Sequence, residues 1–137
     1  MDNKNTYNHN IETIGTGAIF PITLSKNKDG LVGWYPVQGS PSLIENNLRA
    51  LIEHSLGQRL REESFGTRLW ECIEEPNTQA LTFMVREFLN QAITQFEPRV
   101  KIHNVTTVRN GTKLSIVMEY SVSNTNQQSF MELIFNQ

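Results

Sequence analysis

Between positions 77 and 99 the apolar residues Leu81, Val85, Phe88, Leu89, Ala92, Ile93 and Phe96 recur at spacings of three and four. That period lines one face of an α-helix. Gln79, Thr82, Arg86, Asn90, Gln91 and Gln95 take the remaining positions. Asn77 or Thr78, just after Pro76, is the expected N-cap. Pro98 disfavours helical geometry at Glu97 and then blocks continuation. Glu97 and Arg99 therefore flank a fixed corner. Beyond it the period changes from 3.6 to 2. Residues 100–108 predict a strand with Val100, Ile102, Thr106 and Val108 on one face. Asn104 interrupts that face and Val105 falls on the other, which leaves room for a bulge. Asn110-Gly111 is a strong hairpin signal. In 112–122, Leu114, Ile116, Met118, Tyr120 and Val122 alternate inward, with Val117 the exception. A turn at 124–127 and a last strand over 129–135 complete a meander.

Upstream, Ile44, Leu48, Leu51, Ile52 and Leu56 form the apolar face of another helix. Ser42 and Glu45 have capping-box spacing, and Gly57 suits the position just past its end. Leu69, Trp70 and Ile73 mark a short helix. Residues 18–24 and 31–35 read as two strands around the turn Asn27-Lys28-Asp29-Gly30, with Pro21 making the first an edge strand or an irregular one. The expected fold is α+β: two amphipathic helices and a short helix packed on a C-terminal three-stranded antiparallel meander, with an N-terminal β-hairpin. Residues 1–14, polar and Asn-rich, predict a flexible arm, and 15–137 one domain. The last strand carries Phe130, Met131, Leu133, Ile134 and Phe135, apolar on both faces. It should lie beside 112–122, as an edge unless the N-terminal hairpin covers it. An apolar edge is an aggregation hazard unless a partner strand pairs with it.

A net charge of −2 over 137 residues points to neither a nucleic acid nor a membrane surface. Cys72 is the single cysteine, which excludes an internal disulfide and reads as a buried thiol. No apolar run reaches the ~20 residues of a membrane helix. The first ten residues show no signal-peptide pattern, so synthesis in the cytoplasm is expected. His9, His54 and His103 lie in different elements without ligand-spaced neighbours, so no metal or other cofactor is expected. No phosphate-binding, dinucleotide or Ser-nucleophile motif occurs. A small peptidoglycan hydrolase is the enzymatic alternative. It needs two carboxyl groups across a cleft at roughly 5–10 Å. Glu53, Glu62, Glu63, Glu74 and Glu75 lie in charge-rich stretches, which leaves Glu97 as the remaining candidate. Arg59, Arg61 and Arg68 are balanced by Glu62 and Glu63, as on a salt-bridged surface or protein contact. Glu97-Pro98-Arg99 itself has two readings: a helix stop with an exposed ion pair, or a preorganised recognition corner.

Gly17-x-x-Phe20-Pro21-Ile22, Leu56-Gly57-Gln58-Arg59, Phe65-Gly66 with Leu69, Glu75-Pro76, a long helix and Glu97-Pro98-Arg99 follow one another in order. This series resembles the baseplate wedge family of contractile phage tails, type VI secretion baseplates and phage-tail-like injection particles. The resemblance covers about residues 15–135, and the Glu-Pro-Arg corner is its most specific motif. Gln58 departs from the pattern, in which an acidic residue often stands between Gly and Arg. The resemblance implies a structural, non-enzymatic role in an assembly with six copies around the tail tube and hub. It implies that Glu97, Pro98 and Arg99 dock on the core bundle of the larger wedge proteins. Gly57, Arg59, Phe65 and Gly66 would be structural motif residues. Phe130, Met131, Leu133, Ile134 and Phe135 would pair with strands of the first sheath ring, so that the chain initiates the sheath. The chain would end up in an assembled tail or injection particle; whether that particle is released outside the cell stays open. The family also carries a lysozyme-like label, and no carboxylate pair in this sequence supports its transfer.

Overall fold

The computed structural model describes residues 15–38, 40–123 and 128–136. The expected arm at 1–14 and turn at 124–127 lie outside the described residues. Close backbone contacts divide the chain into two units, Met1–Asn47 and Leu48–Gln137.

The first unit holds four two-residue strands: β1 (Thr16–Gly17), β2 (Ser25–Lys26), β3 (Val32–Gly33) and β4 (Val37–Gln38). β2 pairs with β3 and β1 with β4, both antiparallel. The inner turn is the expected one. Asn27 Oδ1 accepts from the backbone N–H groups of Asp29 and Leu31, both at 2.9 Å, and Gly30 takes φ +80°. The expected continuous strand over 18–24 is absent, and that over 31–35 shrinks to β3. Pro21 offers no N–H to a ladder, and Phe20 donates its own to Asn46 Oδ1 at 3.2 Å instead.

Helix α1 (Pro41–Glu53) crosses the boundary between the units. Pro41 takes the first helical position, where its missing N–H costs nothing, and Ser40 precedes it. Ser42 therefore lies inside the first turn, and the expected capping box is displaced. Leu43, Ile44, Leu48, Leu51 and Ile52 are buried. Leu56, expected on this face, is half exposed, because the helix stops at Glu53 and Ser55 forms a parallel bridge with Thr67.

The second unit continues with a 3₁₀ helix, η1 (Leu69–Cys72), helix α2 (Gln79–Phe96), and strands β5 (Val100–Asn110), β6 (Lys113–Val122) and β7 (Gln128–Asn136). Thr78 caps α2, its side chain accepting from Leu81 N–H at 3.4 Å. Leu81, Val85, Leu89, Ala92 and Ile93 are buried, and α2 lies against β5 and η1. The sheet order is β5-β6-β7, antiparallel throughout. All five inward residues expected on β6 are buried. Burial of each large one contributes about 1.5–3 kcal/mol.

On β5 the expected face holds only as far as Ile102. The register shifts between Ile102 and Asn104, and the extra residue reverses the parity beyond it. Val105 is buried, Thr107 and Arg109 turn inward, and Val108 is exposed. Thr107 Oγ1 lies 2.6 Å from Thr82 Oγ1 of α2, and the Arg109 guanidinium donates to Cys72 O at 3.2 Å. Among the described residues no helix is long and apolar enough to cross a membrane.

Candidate functional site: the helix stop, its brace and the open edge

α2 makes its last backbone bond from Glu97 N–H to Ile93 O at 2.8 Å. Glu97 then leaves helical geometry at φ −136°, ψ 64°. Val100 N–H turns back to Glu97 O at 3.1 Å, and Ser123 N–H reaches Arg99 O at 2.6 Å. The corner is thus tied to the helix at one end and to the end of β6 at the other.

The side chains close on each other. Arg99 Nε donates to Glu97 Oε1 at 2.5 Å and a terminal guanidinium nitrogen to Oε2 at 2.8 Å. The Glu97 residue is only 5% exposed, whereas the Arg99 side chain keeps 29% of its surface. The expectation of an exposed ion pair is therefore corrected: the carboxylate is buried. A buried carboxylate is tolerated only when paired and hydrogen-bonded. The hydrogen bond to Glu97 raises the Arg99 pKa above the ordinary value, against the opposing effect of partial burial. Pro98 between them restricts the backbone that carries the fork, and Arg99 remains partly exposed.

A braced loop stands beside this corner. Thr67 N–H donates to His54 O at 2.9 Å, Leu56 N–H to Thr67 O at 3.1 Å, and Gly57 N–H to Glu63 O at 2.8 Å. Thr67 Oγ1 adds a bond to Ile52 O at 2.9 Å. Gly57 and Gly66 have φ of +82° and +123°. At Gly66 a Cβ would stand 2.7 Å from His54 O, so only glycine lets the two backbones approach this closely. The loop presents Phe65, whose ring meets Phe96 edge-on at 5.2 Å and His54 at 5.6 Å. The Arg59 guanidinium covers the Phe65 ring at 3.7 Å. Phe96 immediately precedes Glu97. Four motif residues from 57–66 and the tripeptide 97–99, about 40 positions apart in sequence, thus form one neighbourhood.

The last-strand residues lie elsewhere and divide by parity. Met131, Leu133 and Phe135 are buried, while Phe130 and Ile134 are 68% and 57% exposed. Among the described residues β7 has β6 as its one partner strand. Two further residues make contacts that spacing does not show: Trp70, read only as part of the short helix, and Arg109. Trp70 meets Phe135 edge-on at 5.1 Å and donates to Glu53 O at 3.3 Å. Arg109 Nε is buried with no hydrogen-bond partner among the described residues. Its inward position follows only from the bulge.

For the hydrolase alternative, both oxygens of Glu97 are occupied by Arg99. A groove of about 280 Å³ between the loop and α2 includes Leu56, Phe88 and Ala92 in its lining, with Glu63 its one carboxylate. Glycoside hydrolysis of the usual kind needs two. Among the described residues no group of three or more His, Cys, Asp or Glu could hold a metal ion.

Residues 41–127 match the model of the baseplate wedge protein gp25 family. The chain belongs to that family. The match runs from the start of α1 through the whole of the helix stop and past the end of β6, so it covers both parts of the neighbourhood just described. The chain is 29% identical over 66 residues to baseplate protein W of Escherichia phage P2, a stretch that spans 48% of this chain and 57% of that protein. Its fold is similar to a chain of the anti-feeding prophage baseplate, with TM-score 0.58 and 18% identity over 93% of this chain and 89% of the other. A chain of the contracted pyocin R2 baseplate gives TM-score 0.51 and 12% identity over 84% and 99%. A Geobacter sulfurreducens chain provisionally called a tail lysozyme gives 0.57 and 21% over 65% and 83%. At these identities the structural likenesses establish the fold alone, the lysozyme name included.

Proposed function

We propose that this baseplate wedge chain is the piece of a contractile tail or injection particle that links the wedge core to the first ring of sheath. The Glu97-Pro98-Arg99 corner, braced by Arg59 and Phe65, docks on the larger wedge proteins. β7 pairs with a strand from the sheath, which thereby starts in a fixed register. Six such chains around the tube and hub give one template per sheath strand. The chain is made in the cytoplasm and incorporated into the particle.

One observation carries this reading: β7 is nine residues long, has one partner strand among the described residues, and exposes Phe130 and Ile134. Soluble proteins blunt such edges unless something pairs with them. The opposite edge is blunted. β5 carries a bulge, with His103 held to Ser121 Oγ at 2.8 Å, and an exposed Lys101. The asymmetry selects β7 as the template.

The test is Ile134→Lys, at an exposed position where the isolated fold should tolerate it. Baseplates should still assemble with the variant present but carry no sheath. Normal sheath on such baseplates, with the monomer folded by circular dichroism, refutes the template role.

A further inference from the structure

The C-terminal end of β7 borders a recess of about 310 Å³ lined by Trp70, Glu71, Ile73, Glu74 and Asn136. Asn136 is the last residue of β7, and no other strand contributes to the wall. The recess therefore lies beside the edge strand, over the layer that η1 occupies. A strand added to β7 projects every second side chain toward that layer. The inward side chain opposite Phe135, one residue short of Asn136, is the one nearest the recess.

The lining specifies the side chain that fits. Trp70 and Ile73 are apolar; Trp70 is 43% exposed, while Ile73 is 5% exposed and forms the floor. Glu71 is already held by Arg68, with Nε to Oε1 at 3.0 Å and a terminal nitrogen to Oε2 at 2.8 Å. Glu74 is exposed. With Glu71 held by Arg68, Glu74 is the carboxylate of the lining that makes no ion pair among the described residues. An aliphatic stem on Trp70 and Ile73 that ends in a cation at Glu74 satisfies all of these groups.

We propose that this recess is a side-chain pocket that reads a lysine or arginine on the inward face of the strand added to β7. The partner is an extended protein segment with one basic residue among alternating apolar ones. The inference rests on β7 being the template edge and adds to it a mechanism for register: backbone pairing alone tolerates slippage by two residues, whereas one buried-stem cation does not.

The test uses blocked octapeptides of alternating Val and Thr, with Lys, Leu or Glu substituted at each Thr position in turn, titrated into the full chain by calorimetry. At one position the Lys peptide should bind about tenfold tighter than the Leu peptide, from one exposed ion pair and a cation on Trp70. Glu74→Gln should cut that preference to less than half and leave the Leu peptide's affinity unchanged. Peptides that bind without a Lys preference, or a preference that survives Glu74→Gln, overturn the pocket and leave the template edge standing. Binding by none of the peptides overturns both. A gain of tenfold or more for every peptide on removal of residues 1–14 would make the chain's own arm the occupant, and a dimer dissolved by Ile134→Lys would make it a second copy. Either result overturns the external partner.

Discussion

Arg99→Ala is the most informative single change, because the buried carboxylate makes its effect on stability calculable. The substitution removes the fork that holds both oxygens of Glu97, which is 5% exposed. Removing one partner of a fully buried pair costs about 3–5 kcal/mol. The Arg99 side chain keeps 29% exposure, so water can enter where the guanidinium was. That lowers the expected loss to about 2–3 kcal/mol, a large fraction of an ordinary domain's stability. Glu97→Gln removes the buried charge and leaves Arg99 open to water, for about 1–2 kcal/mol. The double variant Glu97→Gln/Arg99→Gln should lose less than the sum, by about 1–2 kcal/mol, because neither neutral amide strands a charge. Urea unfolding followed by circular dichroism measures all three, with an unchanged m-value as the check that only stability moved. A loss below about 0.5 kcal/mol for Arg99→Ala, with no coupling to Glu97, refutes the reasoning and returns the tripeptide to a plain helix stop with a weak surface pair. The magnitude also governs the docking experiment. Missing wedges with Arg99→Ala would mix lost contact with lost fold. Arg99→Lys keeps a charge but not the planar fork, and is the variant on which docking should be scored.

Two further outcomes are expected. Gly66→Ala should cost about 3–4 kcal/mol, from backbone strain at φ +123° together with a clash that disrupts the Thr67–His54 bond, whereas Gly57→Ala, with φ +82° and no atom within 4 Å, should cost about 1 kcal/mol; equal urea midpoints for the two would show that the close approach at Gly66 is unimportant. Burial pushes the Cys72 thiol above its ordinary range, so its contribution to stability is complete below the unfolded thiol's pKa, about 8.5, and declines as pH rises through the higher folded value; the alkaline fall in urea midpoint should be shallower in Cys72→Ala, and an unchanged slope would exclude this thiol as a cause.

The order of elements was legible because it depends on periodicity and punctuation, which are local. The α2 face, a cap at Asn77 or Thr78, the Asn110-Gly111 hairpin and the inward set on β6 all follow from spacing alone, and Thr78 is the cap that forms. The corner at Glu97-Pro98-Arg99 was legible as a helix stop for the same reason. Short strands and exact ends were less so. The pattern over 18–24 reads as a strand, yet Pro21 removes a donor and Phe20 bonds to a side chain 26 residues away. The capping-box spacing at Ser42 is real, but Pro41 takes the first helical position ahead of it. In each case a neighbour's hydrogen-bonding capacity overrode the pattern.

The sequence by itself determined an α+β chain with a long helix stopped at a rigid acid–proline–base corner and a last strand apolar on both faces. Tertiary structure decided how those features are placed and what packs around them. One extra residue near Asn104 reversed the outer half of β5 and buried part of Arg109, because parity beyond a bulge depends on the partner's register. The loop around Phe65 came to rest against Phe96 through ring contacts between residues 31 positions apart. Glu97 is buried at a corner whose Arg99 carbonyl accepts from Ser123 N–H, just past the end of β6. Burial, and with it the strength of a charge pair, depends on what packs around the atoms, and no local pattern encodes that.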